Sequence, residues 1–415
     1  MSEVLVVVLT CNRPKTLERF IDVATKNRKN TLDEFLIIID DSDESFISQN
    51  SIILEKFCTQ GIKIFHITKS TRKLIDKILY MEDKEYQLVF SKPSYRDISG
   101  LRNLGLFFSI ILGFKMTCFM DDDIIACSKN FGNNNFCFFD MVFSKYQMED
   151  NFVVGASLGG IIDESYIGRM EYLIKQGKNS LLTKETDWQN NDDKLQIIKN
   201  SLWVEDPIPS EKRIKTDHAS AGCFIFSLNS NSVFPFPSGY NEDWNWCLLQ
   251  SALCGTKFYI EQVPVIHAPP SIVPYERKLL LWESLGELIF DSLQEAISSK
   301  DNFSDIAEIH SLTSKKITIK NKVENQLKII KNLNSFKKDN VDSGEHKKLI
   351  TYVSQIENTV NDLKLVNLTE YVDTWFRDLM RRKLIFSRIV ENPEICNKVR
   401  QIFSFAEIKQ VNPHD

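Results

Sequence analysis

The run Val4-Leu-Val-Val-Val-Leu9 is apolar at every position and rich in β-branched residues. A strand with one wet face alternates polar and apolar residues, whereas a strand apolar on both faces belongs in the middle of a parallel sheet covered by helices. Thr10-Cys-Asn-Arg-Pro14 follows, with Pro14 suited to a first helical turn and Leu17, Phe20, Ile21 and Ala24 at helical spacing. Further strands are predicted at 35–39, 62–67 and 116–120, the last preceded by a helix that starts at Asp97 or Ser99 and stops at Gly113. Strands and helices alternating at this spacing predict an α/β fold, Rossmann-like, with a mainly parallel sheet flanked by helices.

The carboxyl ends of such strands are where open α/β sheets hold ligands. Two of them are acidic: Phe35–Ile39 runs into Asp40-Asp41-Ser42, and Met116–Met120 delivers Asp121, Asp122 and Asp123 in succession. Carboxylates crowded at one edge repel, and a hard divalent cation shared with substrate phosphates relieves that repulsion. The same residues also serve as turn or helix-cap acids. No G-x-G-x-x-G follows the first strand and no G-x-x-x-x-G-K-[ST] occurs. Nicotinamide enzymes and P-loop NTPases are thereby disfavoured.

A net charge of −5 gives no basic field for nucleic acid, so the expected partner is a small molecule. The nine cysteines form no C-x-x-C pair and read as buried reduced thiols. Met1–Leu9 lacks the basic and small-residue marks of a signal peptide, and no apolar run is long enough for a transmembrane span. A cytoplasmic protein is expected, which leaves the sequons at Asn302 and Asn367 without consequence.

The second half has fewer landmarks. A polar loop around Gly132 precedes a strand beginning at Phe152, and 161–217 carries short helical patterns at 170–174 and 195–202 but no motif. Ala219-Ser-Ala-Gly222 leads into a strand, and Gly222 would let backbone pass close to a ligand. A helix is predicted from near Asn241 to Gly255, with Glu242 and Asp243 in its first turn, where the helix dipole favours an ionised carboxylate. His267 ends an apolar run and is a candidate metal ligand or a core histidine. From 275 onward Leu279, Leu281, Trp282, Leu285, Leu288, Ile289 and Leu293 recur at helical spacing, and amphipathic helices follow at 317–335, 345–366 and 368–390. This helical part could pack on the sheet, mediate a homo-oligomer or dock an acceptor. Its cluster Arg381-Arg-Lys383, beside Leu384, Ile385 and Phe386, suits a solvated helix face or an anionic membrane surface.

Taken in order, Thr10 to Arg13, Asp40 to Ser42, Arg102-Asn103, Asp121 to Asp123 and Glu242-Asp243 resemble the motifs of the GT-A glycosyltransferases, especially the inverting family 2. The resemblance covers about residues 1–270. It implies a GT-A domain over 1–274, divided into a nucleotide-sugar half (1–125) and an acceptor half (126–274), with a C-terminal all-helical appendage over 275–415. By that resemblance Thr10, Arg13, Asp41, Arg102, Asn103 and Asp122 contact the nucleotide sugar, Asp41 reading its base. Mn2+ or Mg2+ is implied on Asp121 and Asp123 with His267, although Asp122 and Asp123 fit equally as the pair. Arg102 assists the metal at the diphosphate, and Asp243, with Glu242, serves as the base. The implied reaction moves a sugar from a nucleotide diphosphate, with a lean to uridine, to a carbohydrate, peptide or lipid-linked acceptor. Two rivals are a sugar nucleotidyltransferase and a non-catalytic nucleotide-sugar-binding or scaffold protein. The first would carry a Gly-rich basic loop where this chain has Thr10-Cys-Asn-Arg-Pro14; the second has no need of the triplet together with Asp243.

Overall fold

The computed structural model describes residues 4–26, 35–59, 63–91, 97–126, 151–160, 214–215, 222–227, 233–267, 277–300, 302–336 and 343–408. Among the described residues nine strands form one sheet in the order β3-β2-β1-β4-β8-β6-β9-β5, with β7 paired to β9. The first four are β1 (Val4–Thr10), β2 (Phe35–Asp40), β3 (Lys63–Ile67) and β4 (Met116–Asp121). All of these pair in parallel, so Thr10, Asp40 and Asp121 finish at one edge. Every residue of β1 is buried, as its unbroken apolar run requires.

Helices α1 (Pro14–Lys26), α2 (Glu44–Cys58), α3 (Lys69–Glu82) and α4 (Ser99–Leu112) connect these strands. α4 stops at Gly113, whose left-handed φ of 72° is the conformation that glycine adopts without a Cβ penalty. Beyond β4 the sheet becomes mixed. β5 (Ile124–Ala126), β6 (Phe152–Gly160), β7 (Ile214–Lys215), β8 (Cys223–Ser227) and β9 (Lys257–His267) follow. β8 runs antiparallel to both β4 and β6, while β6 and β9 are parallel. Helix α5 (Glu242–Cys254) lies between β8 and β9 in the chain.

Six further α-helices follow among the described residues: α6 (Arg277–Ser298), α7 (Ile306–Lys316), α8 (Lys320–Phe336), α9 (Ser343–Leu365), α10 (Leu368–Val390) and α11 (Pro393–Ile408). The α/β class, the parallel N-terminal strands and the C-terminal helices expected from the sequence are all present. These helices share their core with the sheet. Phe403 of α11 meets Phe65 of β3 and Phe108 of α4 edge-on at 5.2 and 4.9 Å, and Phe386 of α10 lies 6.5 Å from Phe90. Stacked rings of Phe236 and Trp246, 4.7 Å apart, tie α5 to the same core.

The basic cluster on α10 does not form one outward face. Arg382 is buried and pairs with Asp378, Lys383 sits 4.1 Å over the Phe234 ring, and Ile385 and Phe386 are core residues. Arg381, Lys383 and Leu384 of that stretch are exposed, so its outward part is mainly charged, as a solvated helix face is. Among the described residues no helix is long and apolar enough to cross a membrane. The predicted polar loop at 132–135 and the helical patterns at 170–174 and 195–202 lie outside the described residues.

Candidate active site

Parallel pairing sets Leu9 opposite Asp121 and Thr10 opposite Asp40, which gathers the acidic strand ends around the β1–α1 loop. Asp121 is the open member of its triplet, with a side chain 28% exposed. Asp122 is buried: the Thr10 hydroxyl donates to its Oδ2 at 2.7 Å, and Arg13 stands 2.7 Å from its Oδ1. The other arm of Arg13 donates to Asp123 at 2.8 Å. One guanidinium therefore holds two adjacent carboxylates, a planar fork matched to oxygens. Burial pushes the Asp122 carboxyl up to about 7, although Arg13 and the Thr10 hydroxyl pull it down.

Arg19 of α1 adds a further cation, which was missed in the sequence because it belongs to no motif. Its guanidinium nitrogens are shielded from solvent without a hydrogen-bond partner among the described residues. Burial lowers its pKa, while the charges of Asp123 and Asp122 hold it up.

The base-reading candidate Asp41 pairs with Arg72 of α3, and its backbone N–H donates to the carbonyl of Thr10 at 2.9 Å. Arg72 is the second residue that sequence reasoning did not find, since no local pattern ties a position on α3 to the end of β2. Asp40 is a support. Burial opposes its ionised form, but His66, Ser42 and Asn50 bond to it and hold it below the usual carboxylate range. His66 Nε2 lies 2.9 Å from its Oδ2, and the Ser42 N–H donates to its Oδ1 at 2.9 Å. Ser42 Oγ in turn accepts from the backbone of Asn12, whose φ of 57° is left-handed.

The two halves of the site meet at Arg102, 4% exposed on α4. Its guanidinium is 3.1 Å from Glu242, 3.8 Å from Asp243 and 3.7 Å from Asp121. Burial raises Glu242 to about 8 in spite of Arg102, and the neighbouring charges of Asp243 and Asp97 push the same way. Asp243 keeps more contact with solvent and accepts from the Trp244 N–H at 2.9 Å. Asn103, one residue beyond Arg102, faces the protein. Its amide donates to the carbonyls of Val89 and Phe236 at 3.1 Å and accepts from the Phe236 N–H at 2.6 Å.

Among the described residues no group of three or more His, Cys, Asp or Glu side chains is placed to hold a metal by itself. Asp121 and Asp123 are nevertheless hard oxygen donors at a strand end. A divalent ion of the Mg2+ or Mn2+ type, with substrate phosphates completing its sphere, fits that set. His267 ends β9 opposite Ile124, so the chain returns it to the triplet, but its side chain lies outside the described residues. Gly222 is at the same edge, its carbonyl accepting from the Asp121 N–H at 3.0 Å.

No protein-family model and no curated protein matches the chain. Several solved structures are similar at low level. A mannosyltransferase from Pyrobaculum calidifontis, in complex with GDP-mannose and Mn2+, is 10% identical, with 92% of this chain and 86% of that chain covered and a TM-score of 0.39. Glucosyl-3-phosphoglycerate synthase from Mycobacterium tuberculosis, with Mn2+, UDP-glucose and glycerol 3-phosphate, is 13% identical over 72% of this chain and 79% of that one, with a TM-score of 0.34. A mycobacterial protein is 11% identical over 72% and 76%, with a TM-score of 0.37. At these scores the likeness carries no weight for chemistry, which rests on the geometry above.

Proposed function

We propose that the chain is an inverting glycosyltransferase of the GT-A class that transfers a sugar from a nucleotide diphosphate, with a lean to uridine, to an acceptor nucleophile. The observation that carries this is the position of Arg102, within 4.0 Å of Asp121 at the nucleotide edge and of both acids at the start of α5. Breaking an anomeric carbon to diphosphate bond puts negative charge on the leaving group and positive charge on the sugar. A buried cation beside the strand-end carboxylates answers the first need, and a carboxylate across the cleft, deprotonating the attacking group, answers the second.

Within that scheme Asp243 is the base. Glu242, more deeply buried and closer to Arg102, fixes the guanidinium. Asp41 with Arg72 forms the base-recognition pair, and Thr10 and Arg13 shape the floor beneath the nucleotide. Asp121 and Asp123 are the residues that would hold a divalent ion, which when bound supplies Lewis-acid neutralisation of the diphosphate. Asp122 is assigned to Arg13 as an internal counter-ion. Asn103 is assigned to support of the loop at Phe236. A cytoplasmic location and a carbohydrate, peptide or lipid-linked acceptor remain part of the proposal, with a homo-oligomer through the C-terminal helices as a further candidate.

The test is nucleotide release from a panel of UDP-, GDP- and dTDP-sugars, with Mn2+, with Mg2+ and with chelator. Metal-dependent release from one donor is the expected result. Binding of a donor without release, in the presence of candidate acceptors, would favour the non-catalytic sugar-nucleotide-binding alternative.

A further inference from the structure

The segment that leads into Glu242 and Asp243 is held from two sides. On the α4 side, Asn103 clasps the backbone of Phe236, and the Gly239 N–H donates to Asp97 at 2.9 Å. On the other side, the indole N–H of Trp375 donates to the Ser238 carbonyl at 2.8 Å, and the Ser238 hydroxyl donates to Asp378 at 2.8 Å. Asp378 is held in turn by the Nε of Arg382 at 2.7 Å. Gly286 of α6 packs directly on Tyr240: a Cβ at position 286 would stand 2.6 Å from the Tyr240 carbonyl oxygen. Tyr240 also meets Trp282 edge-on at 5.2 Å.

Backbone carbonyls of buried loops need donors in any protein, so one such bond would indicate only satisfied polarity. Here hydrogen bonds from Asp97, Asn103, Trp375 and Asp378 and packing from α6 converge on residues 236–240, and the segment ends at Asn241 in a backbone that costs energy to maintain. Gly239 has φ 114°, and Asn241, a non-glycine residue, sits in the left-handed region with φ 58° and ψ 33°. Those two dihedrals set where α5 begins, and so where Asp243 faces Arg102 and the cleft.

We infer that Trp375 and Asp378 on α10 are positioning residues for Asp243, making the C-terminal helices part of the active-site apparatus through the Ser238–Asn241 segment. This rests on the assignment of Asp243 as base. A carboxylate that must meet a nucleophile within hydrogen-bond reach loses rate steeply when displaced by about 1 Å, while donor binding at the opposite edge is untouched.

The experiment compares the wild-type chain with Trp375→Phe, which keeps an aromatic ring smaller than the indole and loses the N–H, and with Asp378→Asn. Val399→Ala serves as control, because Val399 is buried in α11 and takes part in none of the hydrogen bonds described above. Donor turnover, donor affinity by calorimetry, melting temperature and hydrogen exchange across 237–245 are read for each. The expected result is a kcat lowered roughly 10-fold or more in both α10 variants, with donor affinity within about 2-fold and faster exchange across 237–245. The control melts earlier but keeps its kcat. Unchanged kcat in the α10 variants, or an equal loss in the control, overturns the inference. If the wild type turns over no donor, the glycosyltransferase proposal fails separately, and hydrogen exchange alone decides the clamp: unchanged exchange in both α10 variants removes it.

Discussion

The guanidinium of Arg102 lies 3.1 Å from the carboxylate of Glu242, and both side chains are almost fully buried. The guanidinium does not sit easily there without an acceptor, since a lone buried charge carries a desolvation cost of several kcal/mol. Arg102→Ala is expected to destabilise the fold by about 3 kcal/mol and to lower turnover at least ~100-fold. Arg102→Lys restores part of the stability and little of the activity, because an ammonium cannot reach three carboxylates as a planar fork does. Chemical denaturation and steady-state kinetics on both variants check this.

Stability should depend on pH through the same pair of halves. Burial raises Glu242 from 4.5 to about 8 and Asp122 from 3.8 to about 7. Between the unfolded and folded values the native chain binds more protons than the unfolded chain, so stability falls as pH rises from about 4 to about 8. Each group contributes a slope of at most about 1.4 kcal/mol per pH unit. Denaturation midpoints measured across that window in Glu242→Gln should show a flatter decline than the wild type. An identical slope would remove Glu242 as its source.

Asp121 and Asp122 are adjacent but differ in what they can offer an ion. Asp121→Asn is expected to weaken metal-dependent donor binding at least ~10-fold with little loss of stability, since its side chain is partly exposed. Asp122→Asn should have the larger effect on folding, about 2 kcal/mol, because it alters the buried bond from Thr10 and the pairing with Arg13. Calorimetric titration of donor with and without Mn2+, beside melting curves, separates the two.

Asn103 distinguishes nucleotide contact from structural support. Its amide is engaged by Val89 and Phe236, so Asn103→Ala should lower stability by about 2 kcal/mol and leave donor affinity within about 2-fold. A selective loss of donor affinity at unchanged melting temperature would return it to the nucleotide site.

Much of the scaffold was legible in the sequence because burial on both faces leaves unmistakable apolar runs. Val4–Leu9, Phe35–Ile39 and Met116–Met120 all appear as central strands, and Gly113 and Gly255 end helices as glycine in left-handed backbone should. The acidic strand ends were also visible, since the triplet is contiguous. What could not be read were partnerships set by tertiary packing. Arg13 meets Asp122 and Asp123 from far along the chain, Arg72 reaches Asp41 from another helix, and Arg382 turns inward although its neighbours suggested a basic face. The contact of α10 with Ser238 likewise has no local signature, because a backbone carbonyl accepts a donor regardless of side chain.

Asp243 is the residue on which the account turns, and its isosteric amide is the sharpest probe. Transfer by wild type and Asp243→Asn should be followed by nucleotide release while donor affinity is measured on the same preparations. Turnover reduced at least ~100-fold with donor affinity preserved is the result expected of a general base that binds no donor phosphate. Turnover equal to wild type would contradict the assignment and, with it, the proposed division of labour across the cleft.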